Sequence, residues 1–146
     1  MRVWQTSDGA QQFILYHAHQ VGSIAISPDG STIATGTCQR TIETSQCVDG
    51  AIWLWDTATG HRIDELAGFP EVVVDVEFSH DGSLAIGGSR DGTLRVYDTS
   101  THQPVLVTTS SVGSSPAAII EMAISSDGRF LATGGNGRIN LWRVEP

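Results

Sequence analysis

The 146 residues make one domain's worth of chain, 40% hydrophobic and 16% charged, which is enough apolar material for a core and too much for a disordered segment. Sixteen acidic residues stand against eight basic ones, all arginine, and a net charge of -8 repels a phosphate backbone, so nucleic-acid binding is disfavoured. Without lysine there is no Schiff-base chemistry and no phosphate-loop lysine. No apolar run approaches the roughly 20 residues of a membrane span, and the N-terminus lacks the basic-then-apolar layout of a secretory signal, so the expectation is a cytoplasmic protein with no membrane partner.

In chain order, Met1 to Gln5 reads as a short strand, followed by the turn Thr6-Ser7-Asp8-Gly9 and a strand over Phe13 to Tyr16. Val21 to Thr37 (VGSIAISPDGSTIATGT) reads as two strands about the turn Asp29-Gly30, and Asp49 to Thr57 as a third, with Arg62 to Leu66 as a fourth. The clearest unit is Glu71 to Thr99. There Val72, Val74, Val76 and Phe78 alternate, His80-Asp81-Gly82 turns the chain, Leu84 to Ile86 returns, Arg90-Asp91-Gly92 turns again, and Leu94, Val96 and Tyr97 form the next strand. Val105 to Thr108 follows, then a loop from Ser110 to Ala118 made of small residues, with no helix after it to cradle a phosphate. The last copy is Ile119 to Gly135 and Asn136 to Val144, about the turn Asp127-Gly128.

A unit of about 40 residues therefore recurs three times, with the Asp-Gly pairs in register and Trp55, Tyr97 and Trp142 at one position, which Trp4 shares. This pattern resembles the WD (tryptophan-aspartate) repeat. The resemblance implies an all-β fold, a β-propeller of about three four-stranded antiparallel blades. Residues 1–17 are then a partial repeat supplying third and outer strands, 18–68 blade 1 with an insertion at 38–48, 69–110 blade 2, and 111–146 blade 3 without an outer strand. Propellers close with roughly 4 to 8 blades, so the ring is expected to be completed by a second copy: a homo-oligomer, a dimer of about six blades favoured, with N-terminal strands exchanged. In that ring Met1 to Trp4 duplicates the third strand that Asn140 to Trp142 already supplies.

The resemblance also implies a structural tetrad of His, hydroxyl, Asp and Trp. In blade 1 it maps to His17, Thr35, Asp49 and Trp55, a hydrogen-bonded brace in which the carboxylate fixes the imidazole. The other blades carry partial sets. Blade 2 has Phe69 and Gly87 where His and the hydroxyl belong, with Asp91 and Tyr97; blade 3 has Ser115, Thr133, Asn136 and Trp142. Neither a nucleophile elbow nor a metal-ligand set is evident, so catalytic residues, cofactor and metal are all expected to be absent.

Cys38 and Cys47 bracket the one irregular segment and are open to three readings: reduced thiols as in a cytoplasmic chain, a disulfide across an extended hairpin, or metal ligation. By analogy with propellers this insertion, with Arg40 and Glu43, stands on a partner-binding rim beside Arg90 and the equivalent positions Ser23, Asp75 and Glu121. These charges equally well pair with neighbours. The expected function is a non-enzymatic scaffold for an unknown protein or peptide partner. The rivals are a purely structural fragment of a longer or engineered propeller, and an enzyme using the channel carboxylates Asp75 and Glu121.

Overall fold

A computed structural model of the chain describes residues 1–42, 46–109, 111–112, 115–116 and 118–143, at 111–112 and 115–116 the backbone alone. The first hairpin is β1 (Arg2–Trp4) and β2 (Gln11–Ile14). Blade 1 is β3 (Val21–Ile26), β4 (Thr32–Thr41), β5 (Cys47–Asp56) and β6 (Arg62–Phe69); blade 2 is β7 (Val73–Phe78), β8 (Leu84–Ser89), β9 (Thr93–Asp98) and β10 (Pro104–Thr109). The short ladder of β11 (Ser111–Val112) and β12 (Ser115–Pro116) precedes blade 3, whose described strands are β13 (Glu121–Ile124), β14 (Phe130–Gly135) and β15 (Arg138–Arg143). All pairing within blades is antiparallel and follows chain order.

The same turn closes the first hairpin of each blade. Ser27, Ser79 and Ser125 each donate from Oγ to the carboxylate of Asp29, Asp81 and Asp127, and their Oγ atoms in turn accept the N–H of Thr32, Leu84 and Phe130 at 2.9 Å. The glycine after each aspartate has φ between 70° and 74°, a left-handed conformation that costs a residue with a side chain. These bonds hold Asp29 and Asp81 down to about 2 against an ordinary 3.8, with the serine hydroxyl as the largest cause. Asp98, bonded to Ser100 and Thr101 in the turn after β9, is likewise held at about 2.

The core lies between blades. Ile52, Leu54, Leu66 and Phe69 of blade 1 pack on Val73, Val76, Phe78 and Tyr97 of blade 2; Leu94 and Val96 of blade 2 pack on Ile119, Met122 and Leu131 of blade 3. Inner strands β3, β7 and β13 lie in succession, and β1–β2 packs through Met1, Val3 and Phe13 on Ile33, Leu15 and Trp55. Met1 and Val3 thus meet blade 1 much as Ile52 and Leu54 meet blade 2.

Some boundaries differ from the reading of the sequence. The first outer strand is Gln11–Ile14, two residues earlier than Phe13 to Tyr16, because Tyr16 lies beyond the stretch that pairs with β1. The outer strand of blade 1 continues past residue 68 to Phe69, which pairs with Gly50 across β5. The insertion is a true extension of the β4–β5 ladder, paired as far as Thr41 with Cys47. Glu43 and Thr44 lie outside the described residues, as do Val144 and much of the loop at 110–118, including the side chain of Ser115.

Candidate functional site

Blade 1 carries a polar chain from its entry segment to its third strand. His17 Nε2 shares a hydrogen bond with Thr35 Oγ1 at 2.9 Å, and Trp55 Nε1–H donates to the same oxygen at 3.0 Å. The imidazole stacks on Trp53, ring centroids 5.0 Å apart, and Arg62 lies over that indole at 4.5 Å. Burial lowers the His17 pKa from its ordinary 6.5, and the nearby positive N-terminus adds to the effect.

The expected fourth member is not part of this chain. Asp49 sits on β5 opposite Arg40, and His17 Nδ1 is buried without a hydrogen-bond partner. The reason is the insertion. Asp91 in blade 2 occupies a tight turn, where its carboxylate accepts from Thr93 N–H and Oγ1–H at 3.0 and 2.8 Å, whereas the longer β4–β5 ladder pairs Asp49 with Arg40 between two register shifts.

Blade 2 solves the same position differently. The Phe69 ring takes the place of the imidazole, tilted against Tyr97 with centroids 6.2 Å apart, and a Cβ at Gly87 would fall 2.7 Å from Phe69 Cζ and 2.8 Å from Ile52 Cδ1. Tyr97 does not join Asp91; its hydroxyl donates to the Ala67 carbonyl on β6 at 2.6 Å, tying the two blades together. Phe69 and Gly87 are one substitution in two parts, large for medium and none for small. Read separately in the sequence they look like two losses; read as a pair they point to packing. In blade 3, Trp142 Nε1–H donates to Thr133 Oγ1 at 3.1 Å, while exposed Asn136, at φ 50°, serves the turn.

On the inner strands the structure sorts the proposed rim residues. Ser23, Asp75 and Glu121 pair across to Gly36, Gly88 and Gly134, confirming that they share one position. Irregularities in β3 and β7 leave Gly22 and Val74 as extra residues ahead of Ser23 and Asp75, and a bulge of this kind re-aims the side chain that follows. Ser23 Oγ–H donates to Asp75 Oδ1 at 2.8 Å; Val76 N–H lies 3.1 Å from Ser23 Oγ and 2.9 Å from Asp75 Oδ1; and Met122 N–H donates to Asp75 Oδ2. Asp75 is thus bonded into three blades at once, its oxygens taken up by Ser23, Val76 and Met122 rather than by an arginine. Nothing short of structure reveals this, since its partners lie 52 and 47 residues away. Glu121 is exposed. Next to Asp75, Glu77 is raised above its ordinary value by burial first and by the Asp75 charge second.

Towards the far end of the β4–β5 ladder, Cys38 and Cys47 are joined in a disulfide with Cα atoms 5.8 Å apart, packed on Val72, so neither reduced thiols nor a metal pair describes them here. Beside the disulfide a hollow of about 330 Å³ is edged by His19, Gln20, Thr41, Gln46, Glu71 and Arg90. Arg90 approaches Glu71 at 4.0 Å, so it is half spoken for; Arg40 is exposed. A second feature that the sequence did not single out is the bond from Asp64 on β6 to His102 in the turn before β10, across the blade 1–blade 2 boundary. Asp64 is lowered, chiefly by the Glu65 N–H, with His102 contributing. His102 has φ 58°, which marks it as held in place, but composition gives no hint of it.

Comparison with known proteins agrees with this anatomy. The family model described as WD domain, G-beta repeat matches residues 10–56, 60–98 and 103–143. Among curated proteins, the chain is 27% identical to guanine nucleotide-binding protein subunit beta of Oryza sativa subsp. indica over 97% of its own length and 37% of the relative's. It is 25% identical to autophagy-related protein 16 of Arabidopsis thaliana, covering 99% of the chain and 26% of that protein, and 26% identical to periodic tryptophan protein 2 homolog of Schizosaccharomyces pombe, covering 86% and 13%. The chain spans well under half the length of these relatives. With three repeats matched over most of its residues, each spanning the outer strand of one sheet and the three inner strands of the next, the chain belongs to the WD domain, G-beta repeat family.

Proposed function

We propose that the chain is a non-enzymatic interaction scaffold, half of a six-bladed ring that a second copy completes, with the disulfide-bearing rim offered to a protein or peptide partner. The observation that carries this reading is a vacant place ahead of blade 1. Hairpin β1–β2 covers the outer part of that face, but beside it β3 is left open, with a hollow edged by Met1, Val21, Gly22, Ser23 and Ile24 and with Ile24 and Ile26 exposed, whereas the same face of β7 has the inner strands of blade 1 against it. Strands β13 and β14 of a second copy have that form. In the composite blade β1 and β15 compete for one place, and Trp4, exposed here, stands where Trp142 meets Thr133.

The rim hollow is suited to a short extended peptide, since Glu71, Arg90, Gln46 and His19 supply charges and donors around an apolar floor. Binding there is tested by fluorescence anisotropy of a peptide library against wild-type and Arg90→Ala, Gln46→Ala protein. A cytoplasmic address belongs to the same proposal. It stands in tension with the disulfide, because cytosolic thiols are kept reduced. Rapid alkylation of freshly lysed cells, followed by mass measurement, decides between the bonded and reduced states.

A second reading is favoured by the lengths of the relatives: the open faces receive further blades of one longer chain. Light scattering over a range of concentrations separates the two. A species near twice the 15.6 kDa chain mass supports the two-copy ring, and a monomer throughout supports the longer chain.

A further inference from the structure

The inner strands repeat one hydrogen bond from blade to blade. The side chain of Ser23 in blade 1 accepts the N–H of Val76 in blade 2, and the side chain of Asp75 in blade 2 accepts the N–H of Met122 in blade 3. In each case the acceptor sits at the same strand position, opposite Gly36 or Gly88, and the donor is the residue just after that position in the next blade, opposite Thr35's counterparts Gly87 and Thr133. Continuing the series gives Glu121 as the next acceptor, since it lies opposite Gly134. Running it backwards gives Ile24, opposite Thr35, as the donor that blade 1 offers to whatever precedes it.

The apolar surroundings of this bond follow the same series. Val76 and Met122 are buried, and so are Phe78 and the blade 2 residues Leu94 and Val96 that face blade 3. Their equivalents at the two ends are exposed: Ile24 at 52% and Ile26 at 62% on the leading face, Ile139 at 80% and Leu141 at 69% on the trailing face, against 0% for Ile52 and 1% for Leu94. One chain therefore carries both halves of an interface that it has already built twice within itself. Three blades from each of two copies give six, inside the range of roughly 4 to 8 at which propellers close.

We infer that Glu121 is the latch of that closure, its carboxylate accepting the backbone N–H of Ile24 in a second copy. This rests on the two-copy ring proposed above. The bond has the form that the chain itself shows at Asp75 and Met122, a carboxylate accepting a main-chain N–H in a partly dry setting, which is roughly twice as strong as a neutral pair. It lies on β13 and β3, so it does not depend on whether β1 or β15 supplies the third strand of the composite blade. Because Glu121 is exposed in the single chain, replacing it leaves the fold of the monomer in place.

The test is the dimer dissociation constant of wild-type protein, E121A, E121K and E121D by analytical ultracentrifugation, with circular dichroism as a check of folding. The expected result is a wild-type dimer, weakened about 10-fold or more in E121A and further in E121K, and largely preserved in E121D, since aspartate fills this role at position 75. A wild-type dimer unaffected by E121A and E121K overturns the latch and leaves the ring standing; a wild-type monomer at every concentration overturns both. A second measurement does not rely on affinity. Ser23 and Asp75 touch at 2.8 Å, so the side chains at this position meet between successive blades. Mixing S23C with E121C under mild oxidation is expected to give a covalent dimer that neither variant gives alone. Equal cross-linking in the separate variants counts against the arrangement.

Discussion

Blades 1 and 2 place the same third strand against the same neighbours, yet one is fastened by a polar chain and the other by an aromatic ring. In blade 1 an imidazole, a hydroxyl and an indole share hydrogen bonds through Thr35. In blade 2 the phenyl ring of Phe69 fills the space over Gly87, and the tyrosine hydroxyl turns outward to a carbonyl of the neighbouring blade. The difference teaches that the position must be filled and satisfied, not that it must be filled by particular residues. Each net hydrogen bond contributes only about 0.5–1.5 kcal/mol, which well-packed apolar surface readily matches.

Removing the ring is the most damaging way to break this comparison. Phe69→Ala empties a site that is 1% exposed, at the centre of the contact between two blades, and is expected to cost about 3–5 kcal/mol in a urea unfolding experiment. Gly87→Thr, which restores the hydroxyl of blade 1 to blade 2, is expected to cost about 1–3 kcal/mol, since its Cβ would meet Phe69 Cζ at 2.7 Å. The cost should shrink when Phe69→His is made with it; strict additivity of the two changes in a double-mutant cycle would show that the ring and the glycine are not a pair.

In blade 1, Thr35→Val keeps the shape and removes the oxygen that both His17 and Trp55 use, leaving the buried Trp55 N–H unmatched and the His17 ring without its partner. About 1–3 kcal/mol is expected, measured the same way, with a smaller loss for Thr133→Val, where only Trp142 is bonded. Acid gives the smallest and most diffuse effect. Asp29, Asp81 and Asp98 are held at about 2 against an ordinary 3.8, so the stabilisation from their turn bonds is complete above about pH 4 and is lost as the pH falls towards 2. The thermal midpoint should decline across that window, and Asp81→Asn should flatten part of the decline. An unchanged midpoint from pH 5 to 2 would remove the turns as a source of acid sensitivity.

What could be read from the sequence was whatever is local. The Ser-x-Asp-Gly turns, the alternation of Val76 and Phe78, and the register of Trp55, Tyr97 and Trp142 all arise within one repeat, where spacing alone fixes geometry. His17 and Thr35 were reached through the resemblance to the WD repeat, and their bond forms because both lie within one repeat. Asp49 was misplaced because the extra turns of ladder between Cys38 and Cys47 carry it away from the site where a tight turn would put it, and spacing does not say whether an insertion is looped out or paired. Asp75 was located as a position but its bonds were not legible, since Ser23 and Met122 reach it only once blades are packed side by side. The Asp64–His102 contact is of the same kind. Local chemistry is written along the chain; contacts between blades are written only in the packing.

Because the strands of each described blade pair in chain order, almost every hydrogen-bonded ladder closes over a short turn, and only the contacts between blades join distant parts of the sequence. Such connectivity favours rapid, local folding: a hairpin forms at each Asp-Gly turn, a sheet grows from it, and faces then dock one after another. In a single copy, among the described residues, blade 2 is the one with neighbouring blades on both sides. Its amide hydrogens are expected to exchange most slowly with solvent, with opening that begins at β1 and β15 and travels inward from both ends of the molecule.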